Sequence, residues 1–301
     1  MDDNKRKGMV LGSFIGDSHA LGAHWIYNTR AIDKKAGRVT ELIEPIVTTF
    51  HPNKKPGEQT HYGDQMLLFL EHVAKNGKFD RDPYLKTWTQ FFDSYSGYKD
   101  HAMQETRKNI SNGAKDPGSN STDLSGVFYV PVLLYFGEDR YRNEPRQELY
   151  SAVESAVSMT HNNPAVLQAA RFFAELLLEV LAGTGPVRAA EQLLGDGSYP
   201  SEFTDLVHKG IDAIGNETRD TIKEFGQACP ADHGIPGVIH LIGTYEDDFE
   251  TALIENVMAG GDSAARGIVA GAVLGAHHGR SVIPGRWKKS LAAEKQLEEL
   301  L

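Results

Sequence analysis

Two segments near opposite ends of the chain carry small residues at every fourth position, and that spacing constrains the fold more than any other feature. Gly12, Gly16 and Ala20 recur in GSFIGDSHALGAHW, and Gly267, Gly271 and Gly275 recur in ARGIVAGAVLGAHHG. A four-residue repeat places such positions on one helix face. Glycine inside a helix costs about 1 kcal/mol relative to alanine, so three on one stripe need a compensating gain. Close approach of two bare faces supplies it, and the spacing predicts that these segments pack on each other as helices.

The other periodic segments also read as helices. Leu67–Ala74 and Leu149–Met159 carry apolar residues near the 3.6 period, and Pro83–Tyr95 places Tyr84, Leu85, Trp88, Phe91 and Phe92 on one stripe. Pro164–Leu181 opens on a proline suited to a first helical position and stops before Gly183. Phe249–Ala259 and Gly267–His277 form a last helical pair, interrupted by Gly260-Gly261. Val238–Ile242 fits a helix or a buried strand; hairpin signals are absent. No Gly/Ser/Pro linker divides the chain, which predicts one all-α domain over residues 1–301. Polar loops at Phe50–Gln59, Lys115–Asp123, Met159–Asn163 and Ala259–Ser263 join these helices and are the places to look for chemistry.

Charge and cysteine usage narrow the partners. The 31 basic and 41 acidic residues give a net charge of −10, the opposite of a nucleic-acid footprint. The longest apolar-plus-glycine run, Gly267–Ala276, is far short of a bilayer span. Cys229 is the single cysteine, so no intramolecular disulfide or CxxC pair exists. These features predict a cytoplasmic protein that binds neither nucleic acid nor membrane.

Several polar constellations each support a plain and a functional reading. Asp17 and His24 stand two helical turns apart, as a bonded polar pair in a packing helix or as one wall of a pocket. Asp64, in GEQTHYGDQM, reads as a helix cap or as a ligand with His61 and Tyr62 beside it. Asp262 and Ser263 follow a Gly-Gly turn, and Arg266 one turn later either pairs with Asp262 or points with it into a central site. His161, in THNNP, caps locally or lines a site. Cys229 with His233, in CPADHG, gives a thin nucleophile signal, and the adjacent His277-His278 a weak metal pair, because neighbours on a helix do not face each other.

Taken in order, GSFIGDSHALG, GDQM, GSNSTDLSG, THNNP and GGDSAARGIVAGAVLGAHHG resemble the ADP-ribosylglycohydrolase family over about the whole chain. The resemblance implies a compact all-α fold with a central cleft, two Mg²⁺ or Mn²⁺ ions, and hydrolysis of a glycosidic bond at the ribose of ADP-ribose. On it, Asp64 and Asp262 are the expected catalytic residues and, with Ser263, the expected metal ligands. Asp17, His24, His61, Tyr62, Gln65, Ser119, Asn120, Ser121, Asp123, His161 and Arg266 are the expected cleft lining. The departures are specific. Where the family has Thr-Asp-Asp-Thr, this chain has Tyr62, Gly63, Asp64 and Gln65; where it has Gly-Gly-Asp-Thr-Asp-Thr, this chain has Gly260 to Ala265 with one aspartate. Two carboxylates under-neutralise two close dications, which implies one weak Mg²⁺ or Mn²⁺, or none, with the Arg266 guanidinium as a replacement cation. The altered pattern is similar to the crystallin branch of the family, so a non-catalytic ADP-ribose-like ligand binder or a structural protein stands beside the hydrolase.

Overall fold

The computed structural model describes residues 2–143 and 145–301. Among them the chain forms sixteen α-helices and two 3₁₀ turns, with no sheet. The helix Asp3–Ala20 and the helix Ser263–His278 lie antiparallel at the centre and are buried along most of their length. A Cβ built at Gly12 would stand 2.0 Å from the Gly271 carbonyl oxygen, and one at Gly16 2.0 Å from that of Gly267. The third level pairs Gly8 with Gly275, where a Cβ on Gly8 would stand 2.2 Å from the Gly275 carbonyl oxygen. The glycine contacts of the N-terminal helix are therefore at Gly8, Gly12 and Gly16, so the stripe extends one level further toward the N-terminus than expected. Backbone touches backbone at all three levels, so the glycines are there for close approach rather than flexibility.

The other expected helices form with shifted ends. Leu67–Ala74 lies within His61–Asn76, Pro83–Tyr95 corresponds to Arg81–Ser94, and Leu149–Met159 to Arg146–Val157. Pro164–Leu181 has the expected bounds, with Asn163 as its cap. Val238–Ile242 falls inside the helix Ala231–Thr244. Phe249–Ala259 appears as Phe249–Met258, and the last glycine helix starts at Ser263 rather than Gly267. Around the central pair, Pro164–Leu181, Ala231–Thr244, Phe249–Met258 and the turn Leu124–Phe128 complete the core.

Three isolated β-bridges pin the polar loops over one end of the central pair. They join Ile26 to Gly261, Ser119 to His161 and Asp123 to Pro230. No helix among the described residues is long and apolar enough to cross a membrane.

Candidate functional site

Asp262 anchors the site. Gly260 and Gly261 take φ values of +70° and +66°, a region that favours glycine, and a Cβ at Gly261 would stand 2.1 Å from the Gln227 carbonyl oxygen. The turn delivers Asp262 to the start of the Ser263–His278 helix, where its side chain accepts from the Ala265 N–H at 3.1 Å. His24 Nε2 donates to Asp262 Oδ1 at 3.0 Å. A carboxylate only accepts, so His24 Nδ1 carries the lone pair and accepts from His51 Nε2–H at 2.9 Å. Tyr62 donates to the other carboxylate oxygen at 3.3 Å. Burial works against the charge on Asp262, yet His24 and the Ala265 N–H outweigh it and hold the carboxyl well below the usual range. Both histidines are held down chiefly by burial.

The helical spacing of Asp17 and His24 does not carry through. The first helix stops at Ala20, so His24 sits in the following turn and reaches Asp262, while Asp17 points elsewhere. Asp17 accepts from the Thr60 N–H at 2.7 Å and the Thr60 hydroxyl at 2.5 Å. With its amide turned to satisfy both partners, Gln59 also donates to Asp17. Burial pushes the Asp17 carboxyl up to about 7 against those hydrogen bonds. Thr60 is also the cap of the next helix, which removes Asp64 from that role.

Asp64 faces a cation that belongs to the chain. Lys54 Nζ lies 2.7 and 2.9 Å from its two carboxylate oxygens, and the Tyr95 hydroxyl donates to one of them. Both side chains of the ion pair are mostly covered, at 15% and 16% exposure. Arg266 does not take this place. It donates to Asn256 Oδ1 and to the Gly260 carbonyl, and Asn256 donates to the Ser263 carbonyl. Arg266 thus clamps the Gly-Gly turn, with burial lowering its pKa to about 10. Gln65 turns away as well: Trp88 Nε1 donates to its Oε1 at 3.0 Å.

The remaining residues form an adjoining polar shelf. Ser119 and Ser121 are buried in local hydrogen bonds, with Ser119 Oγ donating to the Thr160 carbonyl and Ser121 Oγ accepting from the Asp123 N–H. His161 is buried between Thr160 and Ser125. Asn120 is exposed and accepts from Asn163. Asp123 is half-buried, and burial followed by the charge of Asp262 pushes its carboxyl up to about 6. Ser263 is buried, its hydroxyl without a hydrogen-bond partner. His61 Nε2 lies 3.1 Å from Asp100 Oδ2.

An aromatic layer covers the Asp262 side. Trp25 stacks on His24 with ring centroids 4.4 Å apart and meets Phe50 and Tyr98 edge-on. Its indole N–H donates to Cys229 Sγ at 3.2 Å. Trp25 takes φ +62°, a strained value for a bulky residue, held by its N–H bond to the Gly261 carbonyl. Sequence reasoning missed Trp25, His51, Lys54 and Tyr95. His51 and Lys54 lie in the polar loop Phe50–Gln59, Trp25 follows His24 and Tyr95 ends the Pro83–Tyr95 stripe, and those positions were the only signals.

These residues do not fit two close dications. Asp64 is occupied by Lys54, and Asp262 by three donors. A Cβ at Gly63 would stand 2.3 Å from Asp17 Oδ2, so a second aspartate cannot enter beside Asp64 unless Asp17 moves. Ala264 and Ala265 supply no ligand side chains.

Comparison with known proteins places this architecture. The model of a family described as ADP-ribosylglycohydrolase matches residues 2–301. Crystallin J1A of Tripedalia cystophora is 22% identical, over 94% of this chain and 91% of its own. Crystallin J1B of the same organism is 22% identical, over 98% and 94%. A solved structure titled ADP-ribosylglycohydrolase-related protein complex shares the fold with a TM-score of 0.75 and 22% identity, covering 99% of this chain and 95% of that one.

Proposed function

The chain belongs to the ADP-ribosylglycohydrolase family, and from that premise we propose that it hydrolyses an ADP-ribosyl or related ribosyl glycosidic bond without a binuclear Mg²⁺ or Mn²⁺ centre. One observation carries the reading: Lys54 Nζ sits on both oxygens of Asp64, supplying the positive charge that an ion would bring. Lys54, from the loop Phe50–Gln59, also brings an ammonium group that can meet a ligand pyrophosphate.

The two carboxylates at the other end differ in the way acid–base work requires. Asp262 is held ionised and orients the attacking water. Asp123, pushed up to about 6, is the proton donor. Water oxygen bonds to the anomeric carbon as the bond to the leaving group breaks. The Asp123 proton passes to the leaving atom, and the water proton is released to solvent once the new C–O bond has formed. Trp25 and Tyr98, half-buried at the rim, offer rings on which a base can stack.

A second reading has its own observation. The rings of Trp25, His24, His51 and His61 lie within 6.3 Å of one another and fill the space above Asp262. That is how a crystallin-like protein that kept the fold without the chemistry would close its site.

Thermal unfolding of chelator-treated protein with ADP-ribose separates the two. Ligand at one hundred times its dissociation constant adds about 2.7 kcal/mol, or about 4 °C for a chain of this length. The shift is expected in chelator, and Lys54→Met should lose it. A wild-type shift that appears only with Mg²⁺ or Mn²⁺ would refute the metal-free site. No shift under either condition would leave the crystallin-like reading. Release of ADP-ribose from an ADP-ribosylated peptide in chelator then tests catalysis itself.

A further inference from the structure

The far end of the glycine helix carries a second constellation, about 22 Å from Asp262 at 1.5 Å per residue. His277 and His278 close that helix, and Asp247 lies in the turn between the helices Ala231–Thr244 and Phe249–Met258. One ligand atom from each of Asp247, His277 and His278 lies within 4.8 Å of the others. Neighbours within a helix would diverge. Here they converge because the helix ends: Gly279 takes φ +79°, and the two imidazole centroids are 4.4 Å apart.

The hydrogen bonding prepares the imidazoles as ligands. His278 Nε2 lies 2.7 Å from the Glu246 carbonyl oxygen. A carbonyl only accepts, so Nε2 holds the proton and Nδ1 holds a free lone pair. Metal-binding histidines are commonly oriented in this way, through the N–H opposite the ligating nitrogen. His277 Nδ1 is buried without a hydrogen-bond partner. Asp247 and the half-buried Glu246 carboxyl add negative potential, and Lys5 opposes it.

We propose that Asp247, His277 and His278 form a binding site for a borderline divalent transition ion of the Zn²⁺ class, which ties the Tyr245-to-Asp248 turn to the end of the glycine helix. Two imidazoles and one carboxylate suit Zn²⁺, Ni²⁺ or Cu²⁺ better than Mg²⁺ or Ca²⁺. Donors around a tetrahedral Zn²⁺ stand about 3.3 Å apart. The three ligand atoms, within 4.8 Å of one another, would have to draw closer to reach that spacing.

The test uses untagged, chelator-stripped full-length protein titrated with Zn²⁺ in equilibrium dialysis, and with Co²⁺ followed by visible absorption. One ion per chain is expected, with the strong absorption of tetrahedral Co²⁺. Asp247→Asn and His278→Ala should each weaken binding at least tenfold, and Asp262→Asn should leave it unchanged. Asp247 is exposed, so its variant keeps the test sound if His278→Ala does not fold. Absence of a retained ion, binding unaffected by Asp247→Asn, or binding lost in Asp262→Asn would each overturn the proposal.

Discussion

Gly271→Ala tests whether the central helix pair depends on backbone contact. Helix propensity alone favours alanine by about 1 kcal/mol. The new Cβ, however, would stand 2.2 Å from the Gly12 carbonyl oxygen and 2.8 Å from its carbon. Ordinary contact begins near 3.4 Å, so the helices must separate by about 1 Å. Separation also loosens the contacts at the Gly8–Gly275 and Gly16–Gly267 levels. Overpacking in a rigid core costs about 1–3 kcal/mol, and backbone on both sides places this site at the upper end. Net destabilisation after the propensity gain is about 2 kcal/mol. With about 2.1 cal/mol/K of unfolding entropy per residue, 301 residues give about 0.6 kcal/mol/K, so Tm falls by about 3 °C in a circular-dichroism melt. Gly195→Ala is the control, since its Cβ meets nothing within 4 Å, and Tm should hold or rise. A Gly271→Ala protein melting at or above wild type would refute close approach as the reason for the stripe.

Two further predictions concern titration and reactivity. Burial holds His19 and His161 near about 4 and lowers His24 and His51; these depressed values make the unfolded state bind more protons below about 6.5, so stability falls as pH drops from 7 toward 5. Asp17 and Asp123, raised to about 7 and about 6, contribute the opposite slope, gaining stability on acidification, but are outnumbered. The urea midpoint should therefore be lower at pH 5 than at pH 7, with Asp17→Asn making the drop steeper; an equal or higher midpoint at pH 5 would contradict the assignment. Burial, then the charges of Asp262 and Asp123, pushes the Cys229 thiol far up, so iodoacetamide at pH 8 should modify it at least tenfold more slowly than free glutathione, and equal rates would show that the Trp25 cover over Cys229 opens readily.

The site shows how acidic side chains can stay together while groups of the same chain claim each of them. Asp64 and Asp262 remain, but each is satisfied by groups from elsewhere in the chain: Lys54 and Tyr95 for one, His24 and Tyr62 for the other. Asp17 fills the space beside Gly63. Restoring one ligand would not restore a dication pair while Lys54 and Asp17 stay in place.

The sequence by itself determined the helical class, the two central helices and the loops that meet at the site, because these depend on periodicity and on glycine spacing along one segment. Pro164–Leu181 could be read to the residue, since its proline and its trailing glycine are local signals. The tertiary structure alone decided which partner each polar side chain meets. Asp17 and His24 looked like one face of one helix, but the chain turns after Ala20 and sends them to Thr60 and to Asp262. Arg266 looked like the replacement cation, yet Asn256 and the Gly260 carbonyl claim it while Lys54 takes Asp64. Such choices turn on contacts between residues up to 238 positions apart, and local spacing carries no information about which distant donor arrives within 3 Å.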